Sequence, residues 1–339
     1  NGSADSTAGT FGALINSTGI NFTMNLTGNL TMYPGSLINL SAVRCTSGTC
    51  QNAGNLNISI NSNTGTINIS GNIFIQGGRS TAGNVKHGKG GNLVINSTYV
   101  YVSGTIDVSS SGVITPTAVN GNDAGNILFL NSSLINVTGT LAAIGGDGDQ
   151  DGCTATAGTR GSGGHINITA TNIYVSGFIN ATRGLFGNCN NGNDGFVYLN
   201  YSNSLDISSA KIFREPIIIP FCDEGDLTTE CNLTRQHGLK IGDVVSASNL
   251  RLKSGALLGG SRFGLKYLIN LTGNLTIESG ASLVANSSPD CNRDGVGDGQ
   301  CHPGGNISII ANNMKVIYLI SCHRLSNPVY AVPAPFFIA

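Results

Sequence analysis

Asparagine two residues ahead of Ser or Thr, with no proline between, is the commonest chemically meaningful spacing in the chain. It occurs at Asn1, Asn16, Asn21, Asn25, Asn29, Asn39, Asn57, Asn68, Asn96, Asn131, Asn136, Asn167, Asn180, Asn200, Asn232, Asn270, Asn274, Asn286 and Asn306. Chance placement of the 40 Asn and 62 Ser or Thr in 339 residues would give about seven such triplets rather than nineteen. Each triplet offers an amide nitrogen to which an N-linked saccharide is joined in secreted proteins. Part of the excess follows from strand geometry, because residues i and i+2 share a face, so an outward face of Asn, Ser and Thr makes triplets automatically. Strand geometry leaves unexplained why that face avoids Lys and Glu, the usual guards of exposed strands. Glycans would supply the missing solubility and steric cover, and extensive N-glycosylation is expected.

A second spacing suits a hard cation. Asp290, Asn292, Asp294 and Asp298 stand at loop positions 1, 3, 5 and 9, with Gly295 at 6 and Val296 placed to give its carbonyl. Asp147, Asp149 and Asp151 repeat the pattern more weakly, with Ala155 where a fourth ligand would fall. The longer loop resembles the calcium loops of thrombospondin type 3 repeats and the first part of an EF-hand, a resemblance that implies a calcium site. It departs from them at position 12, where Cys301 replaces the bidentate Glu. A solvated Asp/Gly turn is the plainer reading of both loops.

Catalytic spacings are scarce. A polysaccharide-degrading enzyme would draw on Asp107, Asp206, Arg160 and Arg183, the charged residues near strand-like runs, yet neither carboxylate recurs beside a second one as glycoside hydrolysis needs. There is no Gly-x-Ser-x-Gly, His-Glu-x-x-His, phosphate loop or dinucleotide fingerprint in the required strand–turn–helix setting. The chain is not expected to be an enzyme.

The nine cysteines speak to compartment. Cys45 and Cys50, Cys222 and Cys231, and Cys291 and Cys301 form close pairs in polar loops, Cys153 and Cys189 sit in loops of successive repeats, and Cys322 is left over. No pair has the CxxC spacing of zinc sites and the five histidines are scattered, so four loop disulfides and an extracellular, cell-surface location are expected. An Asn at position 1 fits a chain trimmed of a signal peptide, or one cut from a longer chain. Charged residues are 10% of the chain against roughly 25% in ordinary soluble proteins, and the net charge is −1. Neither nucleic acid nor an anionic membrane surface is indicated as partner, and no apolar run reaches the roughly 20 residues of a spanning helix.

The elements that must position these residues are short strands in a repeat. Gly91-Asn92-Leu93-Val94-Ile95, Gly125-Asn126-Ile127-Leu128-Phe129, Gly164-His165-Ile166-Asn167-Ile168 and Gly305-Asn306-Ile307-Ser308-Ile309 each open with glycine and a turn residue, followed by a β-rich run. In the first three a second run follows, at Val100–Ile106, Ile135–Leu141 and Ile173–Ile179. Apolar and polar residues alternate, which puts Ile, Leu and Val on one face and Asn, Ser and Thr on the other. One such unit cannot bury its own apolar face, but stacked units can, so the expected fold is an all-β parallel β-helix, or solenoid, with loop insertions. A β-sandwich is the alternative, and it requires dissimilar strands joined by hairpins.

Asn25 to Met32, Gly35, the Cys45/Cys50 loop and Gly54-Asn55 are echoed by Asn270 to Ile277, Gly280, the Cys291/Cys301 loop and Gly305-Asn306. The division expected is a repeat array over 1–210, a junction or insertion over 211–262, a second array restarting over 263–320, and an extended, proline-spaced arm over 321–339. That arm would either cap its own chain or dock on the next subunit.

The run from Gly163 to Ala181 resembles the coils of right-handed β-helix surface proteins, the filamentous-haemagglutinin-like adhesins and repetitive archaeal cell-surface proteins. The density of glycosylation triplets is similar to that of archaeal-type surface-layer and filament proteins. The resemblance implies display, adhesion or polymerisation and carries no catalytic residue. The function expected is a structural subunit of an extracellular, N-glycosylated surface filament or layer that assembles with itself head to tail. A β-helical adhesin or carbohydrate-binding stalk is the second reading, and a polysaccharide lyase or hydrolase the third.

Overall fold

Alternation of buried and outward residues sets the local structure. Leu56, Ile58 and Ile60 are buried while Asn57 and Ser59 between them face out, and the same pattern recurs along the chain. A computed structural model describes residues 14–45, 50–60, 64–79, 87–110, 121–147, 160–184, 192–213, 215–239, 243–260, 266–285, 306–316 and 337–338. Every element among them is a β-strand, with no helix among the described residues. The chain forms two compact units, Asn1–Phe213 and Arg214–Ala339.

The first unit holds β1 (Leu14–Asn16), β2 (Phe22–Leu26), β3 (Leu30–Met32), β4 (Leu37–Asn39), β5 (Leu56–Ile60), β6 (Thr66–Ile69), β7 (Asn72–Phe74) and β8 (Leu93–Asn96). It continues with β9 (Tyr99–Val102), β10 (Thr105–Asp107), β11 (Ile127–Val137), β12 (Thr140–Ala142), β13 (Ile166–Val175), β14 (Phe178–Asn180), β15 (Val197–Asp206) and β16 (Lys211–Phe213). One sheet runs β1-β4-β7-β10-β12-β14-β16, each strand parallel to the last. Its central column is Ile15, Ile38, Ile73, Ile106, Leu141, Ile179 and Ile212 in register. A second parallel series runs β2-β5-β8-β11-β13-β15. The short strands β3, β6 and β9 form a branch that joins it on β11, whose first half pairs β8 and whose second half pairs β9. Between the halves Asn131 takes φ 54°, a left-handed conformation that Asn tolerates better than most residues.

The apolar columns of these sheets meet in one core that includes Ile58, Ile95, Ile127, Ile168 and Leu199, all 0% exposed. Burying one such side chain is worth roughly 1.5–3 kcal/mol, so the repeat is held mainly by its aliphatic columns.

The second unit holds β17 (Ile217–Ile219), β18 (Glu224–Gly225), β19 (Glu230–Leu233), β20 (Gln236–Gly238), β21 (Val244–Ala247), β22 (Asn249–Leu252) and β23 (Leu257–Gly260). After these come β24 (Lys266–Leu271), β25 (Asn274–Ile277), β26 (Ser282–Ala285), β27 (Asn306–Ile310), β28 (Asn313–Val316) and β29 (Phe337–Ile338). Its sheets run β18-β19-β22-β25-β28, β20-β23-β26 and β21-β24-β27-β29 around a separate core containing Leu233, Leu252, Leu258, Ile269 and Leu275. Among the described pairs only β18 with β19 is antiparallel; the others are parallel, unlike the hairpins of a sandwich.

Within residues 211–262, β19 and β22 run into β25, and β21 into β24, so the second unit's sheets begin before Phe263. The arm's end lies on its own chain, with Ile338 of β29 in register with Ile309 of β27.

Candidate functional site

Two uses of asparagine recur in the structure, and Asn39 and Asn131 combine them, each heading a triplet while donating its Nδ2 to the preceding repeat. Asn21, Asn55, Asn92 and Asn126 form a ladder, the last three at the second position of the Gly-Asn word and Asn21 after Ile20. Oδ1 of Asn21 accepts the Asn55 backbone N–H (3.0 Å) and side-chain amide (2.9 Å), and Asn55 Oδ1 does the same for Asn92 at 2.8 and 3.1 Å. Asn92 accepts both groups of Asn126, Asn126 accepts the His165 N–H (2.7 Å), and His165 Nδ1 accepts the Phe196 N–H (3.0 Å). The rungs are 34, 37, 34, 39 and 31 residues apart along the chain. The glycines before Asn55, Asn92, Asn126, His165 and Phe196 are dictated by contact. A Cβ on Gly91 would lie 1.7 Å from the Gly54 carbonyl oxygen, and one on Gly125 2.0 Å from that of Gly91.

Asn55, Asn92 and Asn126, whose side-chain nitrogens donate in the ladder, have no Ser or Thr two residues on. Asn21, which has Thr23, only accepts in the ladder, through Oδ1.

The glycosylation triplets are the second use. Asn1 and Asn286 lie outside the described residues and Asn306 opens β27; the other sixteen are all exposed or half-buried. Several hold their amide oxygen against the third residue of their own triplet. Oδ1 of Asn68 accepts Ser70 Oγ (3.4 Å), that of Asn167 accepts Thr169 Oγ1 (3.2 Å), and those of Asn39 and Asn180 accept the backbone N–H of Ser41 and Thr182 (3.1 and 3.0 Å). These bonds leave Nδ2, the atom that carries a saccharide, outside them. Asn16 and Asn39 are register partners, with Asn39 Nδ2 donating to Asn16 Oδ1 at 3.3 Å.

Two disulfides are formed, Cys45–Cys50 and Cys222–Cys231, with Cα atoms 5.4 and 5.1 Å apart. Cys153, Cys189, Cys291, Cys301 and Cys322 lie outside the described residues. The disulfides, together with the lack among the described residues of a helix long and apolar enough to cross a membrane, are compatible with a secreted or extracellular protein.

Of the calcium candidates, Asp149, Asp151, Asp290, Asn292, Asp294, Val296 and Asp298 fall outside the described residues, and Asp147 is half-buried. Among the described residues no three His, Cys, Asp or Glu side chains converge as a metal site would need. Asp107, Asp206 and Arg183 make local bonds. Asp107 accepts Gln76 Nε2 (2.6 Å) and the Ser109 N–H (2.9 Å), whereas Asp206, in the other sheet, accepts the N–H and hydroxyl of Ser208. The Arg183 N–H donates to Asp194 and its guanidinium lies 3.5 Å from the Gly192 carbonyl; Arg160 is half-buried.

One polar cluster was not anticipated. The Asp223 carboxylate, 1% exposed, accepts the Thr234 and Arg235 N–H groups (2.6 and 3.2 Å), pairs with Arg235 Nε (2.8 Å) and meets His237 Nε2 at 3.0 Å. Burial alone would push the Asp223 carboxyl up. The hydrogen bond and charge of His237, the Thr234 N–H and the charge of Arg235 together outweigh it and hold the carboxyl below its ordinary value. With two backbone N–H groups, the Arg235 guanidinium and the His237 ring gathered on one carboxylate beside the Cys222–Cys231 bond, this is a clamp on the hairpin. No short motif announces it, because Asp223 and His237 are 14 residues apart.

No protein-family model matches the chain, nor does any curated protein or solved structure.

Proposed function

We propose that each unit is a parallel β-helix and that the chain is a structural subunit of an extracellular, N-glycosylated surface filament or layer, with no catalytic role. The observation that carries this reading is the division of labour among its asparagines. Those whose amide nitrogens are spent in the ladder lack the glycosylation triplet, while the sixteen triplet asparagines from Asn16 to Asn274 are all exposed or half-buried. A face built this way accepts saccharides without losing the ladder bonds; at Asn39 and Asn131 a triplet Nδ2 itself donates to the preceding repeat, to Asn16 and Asn96. Parallel pairing at repeat distance, rather than by hairpins, supports the β-helix.

Head-to-tail assembly fits strand edges at the start of the first unit, where Leu14 is 64% and Phe22 36% exposed and β1 ends its sheet. The arm is the weaker candidate for the joint, since Phe337 and Ile338 already pair with β27. Size and sedimentation of the purified glycoprotein test the reading, run beside a variant lacking residues 325–339. Polymers from both support assembly through the strand edges; a monodisperse protein under all conditions favours the stalk-like adhesin instead.

A further inference from the structure

The outward rows of the first unit carry a regularity that glycosylation alone does not require. Asn39 is the register partner of Phe74, Asn68 of Tyr101 and Asn136 of Tyr174. Asn167 is likewise the partner of Tyr198, and Asn180 of Phe213. All five asparagines head a glycosylation triplet, and in all five the aromatic residue stands on the strand that follows in the same sheet. None of the ten side chains is buried, and Tyr101, Tyr174 and Phe213 are 36%, 40% and 48% exposed. Asn136 also has Tyr101 beside it on the strand before, so that asparagine stands between two rings.

Register partners in neighbouring strands are about 4.8 Å apart, and their side chains stand roughly perpendicular to the sheet. A saccharide joined to Nδ2 therefore begins beside the ring of the next strand. A pyranose has a face of C–H groups that packs on an aromatic ring while its hydroxyls stay in water, and Tyr and Phe at an apolar–aqueous boundary suit that contact. The amide oxygens of Asn68, Asn167 and Asn180 are held by their own triplets, which fixes the side chain from which the sugar would leave; that of Asn39 is held likewise, and a sugar there would displace its Nδ2 from Asn16.

We infer that these five pairs are glycan seats: the saccharide on each asparagine lies over the aromatic ring one strand on. The inference rests on the glycosylation reading, and its test separates the two.

In the glycosylated full chain, Tyr174→Ser and Asn136→Gln are made singly and together, with Tyr99→Ser as a control because Tyr99 partners Thr66 and Leu134. Glycopeptide mass spectrometry reads occupancy at Asn136, thermal unfolding reads stability, and timed endoglycosidase digestion reads access to the glycan. Tyr174→Ser should leave occupancy intact, lower the unfolding midpoint by about 2 °C more when Asn136 carries its glycan than in the Asn136→Gln background, and speed glycan release several-fold. Tyr99→Ser should shift both backgrounds alike and leave release unchanged. Occupied Asn136 with equal shifts and an unchanged release rate overturns the seat. An unoccupied Asn136 in the parent protein overturns the glycosylation reading at that site, and the seat with it.

Discussion

Asn92 receives, on one side-chain oxygen, both the backbone N–H and the side-chain amide of Asn126, at 2.9 and 3.1 Å. That relationship joins two repeats 34 residues apart without using any charged group. It also accounts, together with the outward triplets, for a surface rich in Asn and poor in Lys and Glu.

The ladder makes Asn92 and Asn57 unequal although both face out. Asn92→Ala removes the acceptor of two bonds and should cost about 1–2 kcal/mol. Asn57→Gln removes a triplet but no ladder bond and should stay within about 0.5 kcal/mol in the unglycosylated protein. Urea unfolding of both variants measures the difference, and equal losses would show that the ladder contributes nothing.

Close backbone stacking gives a second contrast. Gly125→Ala would drive its Cβ to 2.0 Å from the Gly91 carbonyl oxygen, and the cost should be at least about 2 kcal/mol. Around Gly28 a Cβ would meet nothing within 4 Å, so Gly28→Ala should be close to neutral by the same assay.

Acid should weaken the protein in two stages. Burial holds the His87 imidazole below its usual value, with a smaller contribution from the Arg79 charge and an opposing one from Gly78. The unfolded chain then binds the proton more readily than the native one, so stability is full above the unfolded value of about 6.5 and declines as pH falls through the folded one. Asp223 is also held low, burial being outweighed by His237, Thr234 and Arg235; in Asp123, burial is outweighed by the Ser162 N–H and Lys89. Their contribution is lost only as pH falls below about 4. Melting curves from pH 8 to pH 3 should show both stages, and His87→Gln should shrink the upper one while leaving the lower.

The two loop chemistries read from sequence have direct tests. Millimolar calcium should raise the melting temperature through Asp290, Asn292, Asp294 and Asp298, and Asp294→Ala should abolish the rise. Non-reducing peptide mapping should find Cys153 joined to Cys189; Cys153 joined elsewhere would break the alignment of those two repeat loops.

Alternation made the strands of the first unit legible, and the spacing of the Gly-Asn word matched the separation of paired strands. What the word concealed was its purpose. A residue after glycine looks like any turn residue until the register shows Asn55, Asn92 and Asn126 stacked on one another. The start of the second unit was hidden for a related reason. There Arg251 on β22 bonds Glu278 at 2.8 Å and lies 3.8 Å from Glu230 on β19, so ion pairs stand on the outer face beside the bonded asparagines Asn249, Asn274 and Asn313, and the segment reads as a charged junction. The Asp223 clamp joins residues remote in sequence and so leaves no spacing to detect, and the pairing of Asn136 with Tyr174 exists only across strands.

Electron microscopy of the native surface material tests the central claim most directly. The account predicts an ordered filament or layer of end-to-end subunits, with saccharide density rising from the outward triplet asparagines and none at Asn55, Asn92 or Asn126. Isolated, unassembled rods, or bare density along the outward rows, would contradict it.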